Sequence, residues 1–169
     1  LETASVALDG LDGLVLNVGA ALGATLEATE LAELNQAWRI NVASQFLGLK
    51  HGLAVLDRGG AVVMISAIAA LRIGPTPLPY DLTKAALGPL LHHGARSGEP
   101  RGVRVNMVLP GAIATPMAQR LFGSDHGLGW GREGTAWETA YAVLFLLSDE
   151  ASYVNATTVI VDGGLTAIH

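Results

Sequence analysis

The sequence contains no cysteine, which excludes disulfides, thiolate nucleophiles and cysteine-based metal sites. Its ten Lys and Arg residues are outnumbered by fifteen carboxylates, and they form no basic cluster that could neutralise phosphates. We therefore expect no nucleic-acid partner. The longest apolar stretch ends at Arg72, well short of the roughly 20 residues that a membrane helix needs, so no membrane partner is expected. Residues 1–8 lack the basic start and apolar centre of a signal peptide, which predicts a cytoplasmic location.

The remaining composition is typical of one globular domain. The chain has 169 residues, half of them apolar and only 15% charged, which excludes a disordered protein. The whole chain holds two lysines, Lys50 and Lys84. Five histidines are present without a ligand spacing that suits a metal, and adjacent His92 and His93 would point about 100° apart on a helix, so no metal site is predicted.

Short apolar runs recur at wide spacing and predict buried parallel strands. They lack polar alternation, which is typical of strands covered on both faces. Helical patterns lie between them: Thr29 is a plausible N-cap, and one apolar face follows at Leu31, Leu34, Trp38, Val42, Phe46 and Leu49. Further helices are predicted over Tyr80 to His93 and Trp137 to Leu147. The alternation predicts an α/β fold with a parallel sheet, whose strands are Gly13 to Val18, Ala61 to Ser66, Val103 to Val108 and Thr157 to Val161.

Ligands of such sheets bind at the carboxyl ends of the strands, here residues 17–20, 66–70 and 109–115. After the second strand comes the sequence YDLTK, which places Tyr80 and Lys84 on one face of a helix. A nearby ammonium favours a phenolate, so we expect Lys84 to lower the pKa of Tyr80 and to suit it for proton transfer. A surface pair of no function is the alternative interpretation of this spacing.

Five ordered motifs resemble those of the short-chain dehydrogenase/reductase family. LVLNVG at 14–19 is similar to the family's strand and Asn-Asn-Ala-Gly turn, although Leu16 and Val18 depart from it. The family's helix asparagine is matched by Asn41 in RINVASQF, and its tyrosine and lysine are matched in YDLTK. The family's Pro-Gly loop is similar to VRVNMVLPGAIATPM at 103–117, and its last strand is similar to VIVDGG at 159–164. The resemblance covers nearly the whole chain and implies a doubly wound, Rossmann-type parallel sheet in a single domain over residues 1–169.

The resemblance also implies an NAD- or NADP-dependent oxidoreductase that interconverts an alcohol and a ketone or aldehyde. Tyr80 would be the general acid/base, Lys84 would bind the nicotinamide ribose, and Asn41 would hold a water of the proton relay, although a buried structural amide is an equal alternative. The small-molecule substrate would be a carbonyl compound or an alcohol, and a homodimer or homotetramer would be the assembly. The implied cofactor-binding residues are Asn17, Gly19, Tyr80, Lys84, Pro110, Gly111, Ile113 and Thr115.

Two departures from the family's pattern bear on activity. The Gly-rich turn and the first βαβαβ unit of the family have no counterpart before residue 13, so we expect a partial domain with weak dinucleotide binding. The family's catalytic serine lies thirteen residues before its tyrosine, where this chain has Ala67. Ser66, one position earlier, is the candidate to replace it as a catalytic residue. A catalytically silent module that uses the fold for assembly or ligand binding is the rival hypothesis.

Two further segments carry structural expectations. The Gly-rich stretch 122–134 predicts a functional loop. In the tail of the Pro-Gly loop, four large apolar residues either cover an apolar substrate or pack in the core: Leu121, Phe122, Leu128 and Trp130. Gly88, Pro89, Gly94 and Gly98 predict a weakened helix after Lys84. Because family members commonly pair this helix across a dimer interface, its weakness makes that pairing less secure.

Overall fold

The centre of the molecule is a four-stranded parallel sheet. The computed structural model describes residues 1–122 and 129–168. The strand order is β1-β2-β3-β4, and the register places Gly13 beside Ala61 and Ala61 beside Arg104. All four predicted strands are confirmed, with ends that shift by at most two residues: β1 is Gly13–Leu16, β2 is Ala61–Ile65, β3 is Arg104–Pro110 and β4 is Thr158–Val161.

Helices connect successive strands and cover both faces of the sheet, which confirms the predicted α/β class. None of the helices in the described part of the chain is long and apolar enough to span a bilayer. The seven α-helices of the described residues are α1 (Glu2–Ala7), α2 (Leu31–Trp38), α3 (Ser44–Val55), α4 (Leu78–Ala85), α5 (Leu87–Gly98), α6 (Pro116–Phe122) and α7 (Ala136–Leu147).

Alternate residues of β2 supply two separate cores. Val62 and Met64 belong to the core that α3 and α5 cover, whereas Val63 and Ile65 pack with Leu146 of α7 on the other face. The prediction of strands buried on both faces is therefore right for β2 and β3. It is wrong for β1 and β4, which have exposed residues because they are the outer strands of the described sheet.

The predicted apolar face between β1 and β2 is right at Leu49, which is buried, and at Val42, which packs against the same core, but it is wrong elsewhere. Leu31, Trp38 and Phe46 are exposed, with 69% of Leu31 accessible. One turn of π-helix, Arg39–Ala43, separates α2 from α3 and changes the helical period, so the face predicted from a single α-helix does not persist. The helix also begins one residue later than predicted, after Glu30, while the Thr29 hydroxyl donates to Thr25 O. The inward positions at four-residue spacing are Ala37, Asn41, Gln45 and Leu49.

The prediction that glycine and proline weaken the helix after Lys84 also needs correction. The helical segment breaks at Ala86, so Pro89 lies in the first turn of α5, where its missing N–H has no helical partner to lose. Gly94 and Gly98 permit close packing: a Cβ at Gly94 would lie 2.6 Å from Leu49 Cδ2, and one at Gly98 would lie 2.5 Å from Val103 O. These glycines bring α5 against α3 and β3.

The predicted helix before the last strand is confirmed as α7. It begins after Thr135, whose Oγ1 accepts a hydrogen bond from Glu138 N while the Glu138 carboxylate accepts one from Thr135 N. In the Gly-rich loop before it, Leu128 and the rest of 123–128 lie outside the described residues. The side chains of Leu121 and Phe122 also lie outside the description. Trp130 is 78% exposed, so in this structure it belongs to no core.

Candidate active site

A cavity of about 820 Å³ opens at the carboxyl ends of β1, β2 and β3, where the sheet rule predicts a ligand site. Its wall includes the loop after β1, the segment after β2, α4, and the segment from Pro110 to α6. All residues predicted to bind the cofactor line it, and so does Ser66, whereas Asn41 lies behind the wall. The predicted lining residues are Asn17, Gly19, Tyr80, Lys84, Pro110, Gly111, Ile113 and Thr115.

The predicted pair Tyr80 and Lys84 projects from α4 into this cavity. The Lys84 ammonium lies 5.6 Å from the centroid of the Tyr80 ring, as the four-residue spacing on a helix requires. Lys84 is buried, and its Nζ donates to the Ile65 main-chain carbonyl at 3.1 Å. The last carbonyl of β2 thereby holds the ammonium of Lys84 at the cavity floor, whereas Lys50 is exposed.

The proton affinities of this pair differ from the expectation. Burial raises the pKa of Tyr80 to about 12, and the charge of Asp81 adds to the rise. Burial also lowers the pKa of Lys84 to about 8. The prediction that Lys84 lowers the pKa of Tyr80 is therefore wrong for this structure, because the loss of solvent around the phenol and the Asp81 charge both raise that pKa.

Glycine is required at two lining positions for different reasons. A Cβ at Gly19 would lie 3.1 Å from Lys84 Nζ and 3.5 Å from Asn41 Oδ1, so a side chain there would crowd the two polar groups. A Cβ at Gly111 would lie 2.6 Å from Asp162 Cβ. Gly111 therefore packs closely against the residue that follows β4, while Gly19 stands at a polar part of the wall.

Asn41 is fully buried at the middle of the π-helical turn. Its Oδ1 accepts from Ala20 N at 2.7 Å, and its Nδ2 donates to Ala20 O and to Thr83 Oγ1, each at 2.9 Å. The side chain therefore joins the loop after β1 to α4. This is the structural amide that was one of the two interpretations of Asn41, and its role in a water relay stays a prediction.

Two residues that follow β2, Ser66 and Ala67, determine whether a serine hydroxyl faces the substrate. Ser66 is buried and its Oγ donates to the Lys84 main-chain carbonyl at 3.0 Å. Ala67, with extended backbone, follows it, and both residues line the cavity. In this arrangement the Ser66 hydroxyl is engaged with α4, and the position that matches the family's serine carries a methyl group.

Sequence reasoning missed two buried polar residues beside the pair. Thr83 lies at the centre of the Asn41 contacts, and its Oγ1 is 2.8 Å from Pro79 O. Gln45 donates from Nε2 to Ile65 O at 2.9 Å, the same carbonyl that Lys84 contacts. The four-residue spacing from Asn41 to Gln45 was the signal available, but the π-helical turn obscured which face points inward.

Comparisons with known proteins agree with the geometry. The family profile described as "Enoyl-(Acyl carrier protein) reductase" matches residues 1–166. Cyclopentanol dehydrogenase of Comamonas sp. (strain NCIMB 9872) is 35% identical over 176 residues, which cover 99% of this chain and 70% of that protein. Inactive 2-(S)-hydroxypropyl-CoM dehydrogenase 2 of Xanthobacter autotrophicus (strain ATCC BAA-1158 / Py2) is 35% identical over 175 residues, covering 96% of this chain and 76% of that protein.

Among solved structures, a short-chain dehydrogenase/reductase from Serratia marcescens BCRC 10948 superposes with a TM-score of 0.88 at 28% identity. The match covers 98% of this chain and 70% of that chain. The parallel sheet and the helices on its faces are therefore shared with a solved protein over nearly the full length of this one.

Proposed function

The chain belongs to the short-chain dehydrogenase/reductase family and is an oxidoreductase of that kind, and from this premise we propose that it interconverts an alcohol and a ketone or aldehyde, with NAD or NADP as cofactor. The observation that carries the proposal is the pair Tyr80 and Lys84, one helical turn apart on the wall of a cavity at the sheet's carboxyl edge. A phenol beside an ammonium in a largely apolar cavity suits proton transfer to or from a substrate oxygen.

The residues present fit a nicotinamide cofactor in this cavity. Lys84 offers a buried ammonium, which is suited to ribose hydroxyl groups. Its Nζ lies beside Gly19, where the absence of a side chain keeps the space around it open. Ile113 and Thr115 line another part of the same cavity. When bound, the cofactor supplies or accepts the hydride.

Tyr80 would transfer the proton that balances the hydride. In reduction the carbonyl carbon gains the hydride and its oxygen gains the phenol proton, and oxidation reverses both transfers. A pKa of about 12 keeps the phenol protonated at neutral pH, which is the form that donates the proton in reduction. Lys84, with a pKa of about 8, is mostly charged at pH 7 and would stabilise the phenolate that forms after proton transfer.

Ala67 provides no hydroxyl to polarise the substrate oxygen. Loss of one such donor typically costs about 10² to 10³ in rate. We therefore propose a slow enzyme rather than a fast one. The same residue favours the second candidate, a silent member of the fold that binds ligand without turnover, and one relative at 35% identity is itself named inactive.

A hydride-transfer assay separates these candidates. The protein is incubated with cyclopentanol, because one relative is named for that substrate, and with NAD⁺ or NADP⁺ in separate reactions. A panel of other secondary and primary alcohols and their carbonyl counterparts follows. Formation or consumption of reduced cofactor with any substrate supports the enzyme. Cofactor binding without turnover across the whole panel favours the silent module.

We also infer assembly into a homodimer or homotetramer. Large apolar side chains project outward from α7, among them Trp137, Tyr141 and Leu144, each more than half exposed. Such a stripe on a helix of a globular protein is typical of an interface. Light scattering behind size-exclusion chromatography measures the assembly, and a monomer at all concentrations contradicts this inference.

A further inference from the structure

The charged residues that line the cavity are all cationic within the described part of the chain. They are Arg72, Lys84 and Arg120, and no Asp or Glu joins them in the described wall. This contrasts with the chain as a whole, where fifteen carboxylates outnumber ten basic residues. The local charge of the cavity is therefore opposite to the net charge of −5.

The two arginines lie at the mouth of the cavity rather than at its floor. Both are exposed to solvent as well as lining the wall, whereas Lys84 is buried. The Arg72 guanidinium donates to the main-chain carbonyl of Leu165, another lining residue. Because a guanidinium carries five N–H donors, this hydrogen bond holds the Arg72 side chain in place and leaves other N–H groups available to a ligand.

Carboxylates close to the cavity in sequence are engaged elsewhere. Asp81, next to Tyr80, accepts a hydrogen bond from the Thr76 hydroxyl. Asp162 accepts from Gly164 N at 2.9 Å and from Thr166 N at 2.7 Å. Neither belongs to the described wall, so the cavity presents its cations to a ligand.

The wall is otherwise mainly apolar, with Ile68, Met117 and Val143 among its residues. Thr139 of α7 also lines it, and its Oγ1 is buried without a hydrogen-bond partner among the residues described. An apolar wall with cations at the mouth and one hydroxyl without a partner matches an amphipathic small molecule.

We propose that the substrate carries a carboxylate at the end remote from the reacting carbon, and that Arg72 and Arg120 bind this carboxylate at the cavity mouth. This inference rests on the proposed function and names the substrate class for that same site. Arginine suits the task because its planar fork can bind both oxygens of a carboxylate. The apolar body of the substrate would lie along the wall between the arginines and Tyr80.

The test compares binding of charged and uncharged probes of matched shape. The first pair is 4-oxocyclohexanecarboxylate and its amide, and the second is the linear 4-oxopentanoate and its amide. Each is titrated calorimetrically into the protein with NAD⁺ or NADP⁺ present, because the oxidised cofactor has no hydride to transfer to a ketone probe. We expect at least one carboxylate to bind about 10-fold more tightly than its amide, since charge-assisted hydrogen bonds are stronger than neutral ones.

Substitutions assign the preference to the two arginines. Arg72→Gln and Arg120→Gln should each reduce it several-fold, and the double variant should bind acid and amide equally. Arg96→Gln is the matched control, because Arg96 is an exposed arginine of α5 outside the cavity wall. Cofactor affinity, titrated in parallel, should remain unchanged in all variants.

Three results would overturn the proposal. The first is that the protein binds neither carboxylate more tightly than its amide, the second is that the double variant still binds the acid more tightly than the amide, and the third is that the arginine variants lose cofactor affinity instead. The last result would place the arginines on cofactor phosphates. Binding is read without turnover, so selective binding of the acid without hydride transfer would reject the proposed oxidoreductase reaction and leave the assignment of the arginines in place.

Discussion

The two segments that meet at the cavity floor, the end of β2 and the first turns of α4, use their hydroxyl groups in opposite ways. Ser66, after β2, donates to the Lys84 main-chain carbonyl and so stabilises the fold. Tyr80, on α4, lines the cavity with the Lys84 ammonium 5.6 Å from its ring. In the proposed reaction, proton transfer and polarisation of the substrate oxygen would therefore be separate tasks: Tyr80 would perform the first, and Ala67 supplies no hydroxyl for the second.

Removal of the Tyr80 phenol should reduce turnover more than any other single change. Tyr80→Phe should lower kcat by about 10² to 10⁴, because the proton donor is lost while the ring remains. Cofactor affinity should stay nearly unchanged. Steady-state kinetics and calorimetric titration measure both, with Tyr141→Phe on the exposed face of α7 as control. Turnover that survives Tyr80→Phe would remove Tyr80 from the catalytic role.

Removing the cation tests the other half of the α4 pair. Lys84→Ala should reduce kcat and also weaken cofactor binding, each by about 10-fold or more, since a charged donor to the ribose is lost. Lys50→Ala is a matched control, because Lys50 is the other lysine of the chain and is exposed. Equal losses of cofactor affinity in Lys84→Ala and Tyr80→Phe would show that the two roles are assigned wrongly.

A hydroxyl restored at position 67 would give the segment after β2 a group that can contact the substrate, as Tyr80 does on α4. Ala67→Ser should raise kcat by about 10-fold, because a donor at that position acts as charge develops on the substrate oxygen. Ser66→Ala should leave kcat nearly unchanged and lower the free energy of unfolding by about 1 kcal/mol, as expected for one buried hydrogen bond. If Ser66→Ala instead destroys activity and Ala67→Ser changes nothing, Ser66 is the catalytic serine.

The smallest effect is on stability as pH changes. Burial holds the pKa of Lys84 at about 8, below the ordinary value of 10.5 expected for the unfolded chain. Between these values the unfolded chain binds more protons at this group than the folded one, so its contribution to stability rises with pH. The urea midpoint of the wild type, relative to Lys84→Met, should increase from pH 8 to pH 10. A flat difference would contradict the lowered pKa.

The parts of the fold that sequence patterns predicted well depend on local chemistry. β2 is a continuous apolar run, and α7 begins at a Thr135–Glu138 capping box, so neighbouring residues alone specify these two elements. The face of α2 and α3 was not predictable in the same way. The π-helical turn at Arg39–Ala43 changes the period inside one helical segment. Asn41 and Gln45 point inward to hydrogen-bond with Ala20 and Ile65, and local sequence does not reveal these partners because they lie far away in the chain.

Residues close together in the sequence are enough to predict the alternation of strands and helices, the four-residue spacing of Tyr80 and Lys84, and the alanine at position 67. The proton affinities of the pair depend on the folded structure instead, because burial raises the pKa of Tyr80 and lowers that of Lys84. The fold also brings the Ser66 hydroxyl to Lys84 O and places Arg72 and Arg120 on the wall of one cavity. These properties depend on which groups fold together, and distance along the chain does not specify that.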